Sequence, residues 1–134
     1  MPEKVRAIPE GFHTLTPHIT VRDAAGAIEF YKKALNAQVL HVSHTPNGKV
    51  MHASLKIGET RVMASDGRNT GNPKFDGFAL SVDAKDAADA DRLFKGLSDG
   101  GTIIMPLDKT FFSPRFGMTQ DKFGVNWMVI VEPK

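Results

Sequence analysis

Residues 16–35 read Thr-Pro-His-Ile-Thr-Val-Arg-Asp-Ala-Ala-Gly-Ala-Ile-Glu-Phe-Tyr-Lys-Lys-Ala-Leu, and the pattern of residue types changes period in the middle. Ile19 and Val21 fall on one side of an alternation and His18, Thr20 and Arg22 on the other, as in a strand that turns one face to a core. Asp23 follows where a helix N-cap belongs, because its carboxylate can accept from the first unpaired helical N–H groups. Ala24, Ala27, Ile28, Tyr31, Ala34 and Leu35 then recur at helical spacing, with Glu29, Lys32 and Lys33 on the other side. The stretch predicts a strand feeding an amphipathic helix that packs on a sheet.

The same arrangement returns at residues 77–97. Phe78, Leu80 and Val82 take the strand role, Asp86 the cap, and Ala87, Ala90, Leu93, Phe94 and Leu97 the helical stripe. Val82 lies 61 residues after Val21, and Leu93 and Leu97 lie 62 after Tyr31 and Leu35, so one residue is inserted near the second cap. We read this as a duplicated module of about half the chain rather than two unrelated units that look alike.

Outward from these anchors, Asn36 stops the first helix, Gln38–Thr45 is a strand, and Pro46-Asn47-Gly48 closes a tight hairpin with a pair that tolerates positive φ at both centres. Over 49–57, Met51, Ala53, Leu55 and Ile57 share one face and Val50, His52, Ser54 and Lys56 the other. Gly58-Glu59 turns the chain into a strand at Thr60–Ser65. In the second half, Asp99-Gly100-Gly101 ends the helix, and strands are expected at 102–106, about 110–119 and 126–131, with a turn at Asp121–Gly124 before the last. Each half is thus βαβββ. The expected organisation is one α+β domain over 1–134, with an extended arm at 1–14, module one at about 15–66, a glycine-rich linker or lid at about 66–77, and module two at about 77–132.

A chain of 134 residues can bury one good core without metal or disulfide staples. Its 17 Lys and Arg against 15 Asp and Glu leave a charge of only +2, without a basic block, so no nucleic-acid partner is indicated. Zero cysteines exclude disulfides, thiolate metal sites and cysteine nucleophiles. No apolar run is long enough for a bilayer span and no apolar signal core opens the sequence, so the expected location is cytoplasmic, with no membrane partner. Phosphate-cradling glycine loops, dinucleotide fingerprints, nucleophile elbows and HExxH are absent.

Several stretches together resemble the vicinal oxygen chelate superfamily, which includes glyoxalase I, bleomycin-resistance proteins and extradiol dioxygenases, and within it the PhnB-like branch. They are Thr16-Pro17-His18, Ala27-Ile28 with Phe30-Tyr31, His52-Ala53-Ser54-Leu55-Lys56-Ile57-Gly58, Arg115-Phe116-Gly117, and Asp121-Lys122-Phe123-Gly124-Val125-Asn126-Trp127. The resemblance implies curved, cup-like sheets with helices outside, a ligand site in the concave face, and homodimers. In catalytic members of such a family, a divalent metal is held by His, Gln or Glu side chains facing the cup. The corresponding positions here fall on Thr16, Ala64, Gly77 and Met128, none a usual metal ligand, so the expectation is no metal and no other cofactor.

The candidate site residues are His18, His52, Phe112, Arg115 and Trp127. His52 should look into the cup, where an imidazole can act as a general base or be satisfied by a carbonyl. His18 shares that face, whereas His41 and His44, three apart in a strand, should point oppositely. Arg115 can clamp a ligand carboxylate or phosphonate, or pair with Asp121 or Asp108. Phe112 and Trp127 can line the cup or the core, Trp127 alternating with Val125 and Val129. The first functional reading is a homodimeric protein that binds a small organic molecule without metal. The alternatives are a metal-dependent isomerase, lyase or dioxygenase of the same superfamily, and an interaction module without a small ligand.

Overall fold

The computed structural model describes residues 13–67 and 73–133; the expected arm, up to residue 12, and residues 68–72 of the linker lie outside them. The first half runs β1 (His18–Thr20), α1 (Ala24–Leu35), β2 (Gln38–His44), β3 (Val50–Ile57) and β4 (Thr60–Ser65). The second runs β5 (Leu80–Ala84), α2 (Ala87–Ser98), β6 (Thr102–Asp108), β7 (Arg115–Gln120) and β8 (Asn126–Val131). The two sheets have the same topology, β1-β4-β3-β2 and β5-β8-β7-β6, each with one parallel pair beside two antiparallel ones.

The helix signals act as read from the sequence. Asp23 Oδ1 accepts from Gly26 N at 3.0 Å, and Asp86 Oδ1 from Asp89 N at 2.8 Å. Such caps stabilise a helix start by about 1 kcal/mol each. Asn36 ends α1 in the left-handed region. The α1 stripe is buried along with Phe30, and the α2 stripe is buried except for Ala87, which lies exposed at the helix start.

Other expectations are corrected by local bonding. At the β2–β3 hairpin only Gly48 has positive φ; its N–H donates to Thr45 O at 2.9 Å, and Thr45 N–H donates to Lys49 O at 2.8 Å. This is a three-residue connection ending on a left-handed glycine, so Asn47 needs no special conformation. A register shift follows between Ser43 and His44, where β3 carries the extra residue: Met51 bulges out at 59% exposure and Val50 is buried instead. The strand expected from about 110 begins only at Arg115. Before it, Ser113 N–H donates to Thr110 Oγ1 at 3.0 Å and Thr110 N–H to Ser113 O at 2.9 Å, closing a turn. The Ser113 hydroxyl then bonds Val131 O at 2.6 Å. Phe78 precedes β5 and is half exposed.

Ile19, Val21, Ala53, Leu55 and Ala64 of one sheet, Val125, Trp127 and Val129 of the other, and the apolar stripes of both helices form one continuous core. The helices also pack on each other. At Gly96 an added Cβ would stand 3.1 Å from Cα and Cβ of Ala34, so a larger residue would push α2 off α1. Because the backs of both sheets share this core, their other faces point away from the helices; among the described residues they stay open, and no strand of one sheet pairs with a strand of the other. No helix among the described residues is long and apolar enough to cross a membrane.

Candidate functional site

Along β1, β3 and β4 the core residues alternate with His18 and Thr20, His52, Ser54 and Lys56, and Arg61, Met63 and Ser65. These side chains therefore occupy the open face of the first sheet. Strand order then places residues distant in sequence side by side. The His18 and His52 rings have centroids 6.2 Å apart, although β4 runs between their strands, and His18 Nε2 lies within hydrogen-bond distance, 3.1 Å, of Ser65 Oγ. On the other side of His52, the His41 ring is 6.3 Å away. Three imidazoles form a row with His52 at its centre.

Ser54 stands beside His41 across the β2–β3 ladder. It is buried at 7% exposure, yet its hydroxyl has no hydrogen-bond partner among the described residues. A buried hydroxyl without a partner is costly, so this group is poised to accept or donate a bond. His41 was not among the sequence candidates. A register shift between Val39 and His41, where β2 carries the extra residue Leu40, brings His41 opposite Ser54 and onto the face of His52. Nothing in the residue pattern marks that shift.

The open face of the second sheet has another character. Phe116, Met118 and Gln120 of β7 and Asn126, Met128 and Ile130 of β8 occupy it, with Ser81 and Asp83 of β5 and Thr102, Met105 and Asp108 of β6 paired beside them. Phe112 extends it: the ring is 41% exposed and lies 5.0 Å from Phe116 and 5.2 Å from Phe111. Phe112 thus lines an open face, but that of the other module from His18 and His52.

Two sequence candidates leave the open faces. Arg115 alternates with Phe116 toward the helix side and donates to Asp91 Oδ1 of α2, at 3.0 Å through Nε and 2.6 Å through an η nitrogen. Its partner is neither Asp121 nor Asp108, because α2 packs directly over β7 and brings Asp91 within reach. Trp127 is 3% exposed and points into the core, its ring 5.6 Å from Tyr31 and its indole N–H 2.8 Å from Asp121 Oδ2. It is a core residue, as its alternation with Val125 and Val129 allowed.

Asp121 is the hub of that core. Its carboxylate, 3% exposed, accepts from the Tyr31 hydroxyl at 2.5 Å, from the Trp127 indole, and from Phe123 N at 2.8 Å and Val125 N at 3.1 Å. Burial, and then the adjacent Asp121 charge, push the Tyr31 phenol far above its ordinary range, so it stays a neutral donor. This network joins α1 of the first half to the β7–β8 turn of the second.

Two larger concavities lie elsewhere. A groove of about 790 Å³ runs between α1, α2 and β6 past Phe30, Phe94 and Ile103. A cleft of about 740 Å³ opens between the β3–β4 turn and β5, with Leu35, Leu80, Leu93 and Trp127 among its lining. Neither is lined by a residue of the histidine row.

An α+β chain of two βαβββ modules, each with one open sheet face, belongs to a single structural class. Residues 11–129 match the model of the Glyoxalase/Bleomycin resistance protein/Dioxygenase superfamily, and the chain belongs to that superfamily. Its PhnB-like neighbours include the PhnB protein from Bacillus cereus, with TM-score 0.80 and 26% identity, covering 89% of this chain and 99% of that one. Protein PA1353 from Pseudomonas aeruginosa matches with TM-score 0.80 and 32% identity, over 90% of this chain and 98% of that one. Protein YjdN of Escherichia coli is 28% identical over 138 residues, 87% of this chain and 94% of that protein.

The metal used by catalytic members does not fit the corresponding residues. Thr16 precedes β1, Gly77 is a positive-φ turn residue without a side chain, and Ala64 is fully buried on the helix side. Met128 offers only a thioether, a poor donor for hard divalent ions. Among the described residues no group of three or more His, Asp and Glu side chains is placed to hold a metal ion.

Proposed function

We propose that this protein binds a small organic molecule on the open face of its first sheet, without the superfamily's usual metal, and that it does so as a homodimer. The observation that carries this reading is the row His18–His52–His41 beside the unpartnered hydroxyl of buried Ser54. Convergent polar groups on a rigid sheet are what a ligand's head needs, and an orphaned hydroxyl gains a bond when the ligand arrives. Dimerisation follows from the second sheet. Ile103, Ile104, Met105, Phe111 and Phe112 are each more than 40% exposed on or beside its outer edge, a concentration of apolar surface that a second copy would cover. The same association would supply a wall over the histidines.

The test is thermal shift against a library of small organic molecules, run on wild type and His52→Ala. A ligand that raises the wild-type melting temperature should lose most of that shift in His52→Ala, while the ligand-free melting temperature stays put. A shift unchanged by the substitution would move the site off this face. Elemental analysis of protein purified without chelator should find no stoichiometric metal. A bound metal, with an activity that EDTA abolishes, would favour the metal-dependent enzyme reading instead.

A further inference from the structure

We infer that the ligand of the histidine face is an organic anion, held by its carboxylate, phosphonate or similar oxyanion head with its apolar part directed away from the first sheet. This rests on the reading that the ligand sits on this face at all. The groups available there are donors: three imidazoles, each with at least one ring N–H, the Ser54 hydroxyl, and the Lys56 ammonium farther along β3. No aspartate or glutamate occupies an outward-facing position on β1, β2, β3 or β4. Asp66, just after β4, is already committed, accepting from Ala24 N at 2.9 Å and Val50 N at 2.7 Å.

A cationic ligand would meet this surface with no acidic partner. A neutral one would use the hydrogen bonds but leave the Lys56 ammonium without an opposite charge. An oxyanion does both: it accepts from the ring N–H groups and from Ser54, and it brings the negative charge that these acid-free strands lack. The rings stand 6.2 and 6.3 Å from the central one, and one oxyanion at His52 can engage a flanking histidine after a small side-chain rotation. The apolar part then faces whatever closes the site, and the methionine- and phenylalanine-bearing face of a second copy has the matching character.

The experiment follows the histidine ring and Trp127 indole signals by NMR while the protein is titrated with hexanoate, hexylphosphonate, the neutral hexanamide and inorganic phosphate. Hexanoate or hexylphosphonate should move the His18 and His52 signals, with hexanamide at least tenfold weaker. Inorganic phosphate, lacking a tail, should bind more weakly than hexylphosphonate. His52→Gln, checked for an unchanged melting temperature, should lower the affinity of the anionic probes about tenfold or more, the loss expected for a hydrogen bond to a charged group. Hexanamide binding as tightly as hexanoate, still dependent on His52, would overturn the anionic class and leave the site standing. Probes that bind while shifting only signals of the cleft around Trp127, unaffected by His52→Gln, would overturn the site and the class together. Binding of no probe at millimolar concentration would overturn the anionic class.

Discussion

The two halves of the chain share topology, caps and turn glycines, yet their open faces are unlike. The first presents three histidines, serines, Lys56 and Arg61 and, among the described residues, no carboxylate; the second presents Phe116, Met118, Met128 and Ile130 beside Asp83, Asp108, Gln120 and Asn126. Their backs, by contrast, are apolar in both halves because they share one core. Packing constrains the inner positions of each strand, and a buried change of even a methylene is felt there. The outer positions carry no such constraint, so they are where two similar modules can differ.

The largest effect is expected where the halves are tied together. Asp121→Ala should cost about 3–5 kcal/mol, because it strands the Tyr31 hydroxyl, the Trp127 indole and two amides in the core. Urea unfolding should remain one transition at lower midpoint. Two separated transitions would show that the halves fold independently and that the shared back is not what couples them.

Next is the apolar face itself. Phe116→Lys places an ammonium on it and should weaken the proposed self-association by roughly 3 kcal/mol, about a hundredfold, so that light scattering reports a monomer. A dimer that survives unchanged would mean that this face is not the covered one.

Tyr31→Phe should cost about 1.5–3 kcal/mol at neutral pH through the lost bond to Asp121. It should also change the alkaline limb. The folded state keeps a phenol proton that the unfolded chain releases above about pH 10. The unfolded state then binds fewer protons, so wild-type stability falls as pH rises past that point. Tyr31→Phe should flatten that fall in a pH series of denaturation curves.

The smallest effect belongs to Arg115→Ala. Its pair with Asp91 is partly solvent-exposed, at 34% and 54% side-chain exposure, so the loss should be below about 1 kcal/mol. Ligand affinity at the histidine face should be unchanged; a large loss there would break the separation between outward- and helix-facing positions of β7.

Much of the fold was legible because its signals are local. Asp23 and Asp86 cap helices in whatever context they meet three free N–H groups, and β4 and β8 have the bounds that their alternation predicts. His52 and His18 were readable as outward-facing for the same reason. Arg115 was not placed correctly, since its partner lies on a helix whose position over β7 depends on the whole second module. His41 was missed because the one-residue slip at Leu40 reverses a strand's facing from that point, and no turn residue announces it.

The sequence by itself determined which segments become strands and helices and which side of each is apolar, because caps, turn glycines and hydrophobic period act over a few residues. Only the tertiary structure decided which of those sides meet. The parallel pairing of β1 with β4 sets His18 close to His52 across an intervening strand, and the packing of α1 against the second half brings Tyr31 to Asp121, 90 residues away. Such contacts depend on strand order, register slips and helix packing, which are settled by burying the whole core at once rather than by any one stretch of chain.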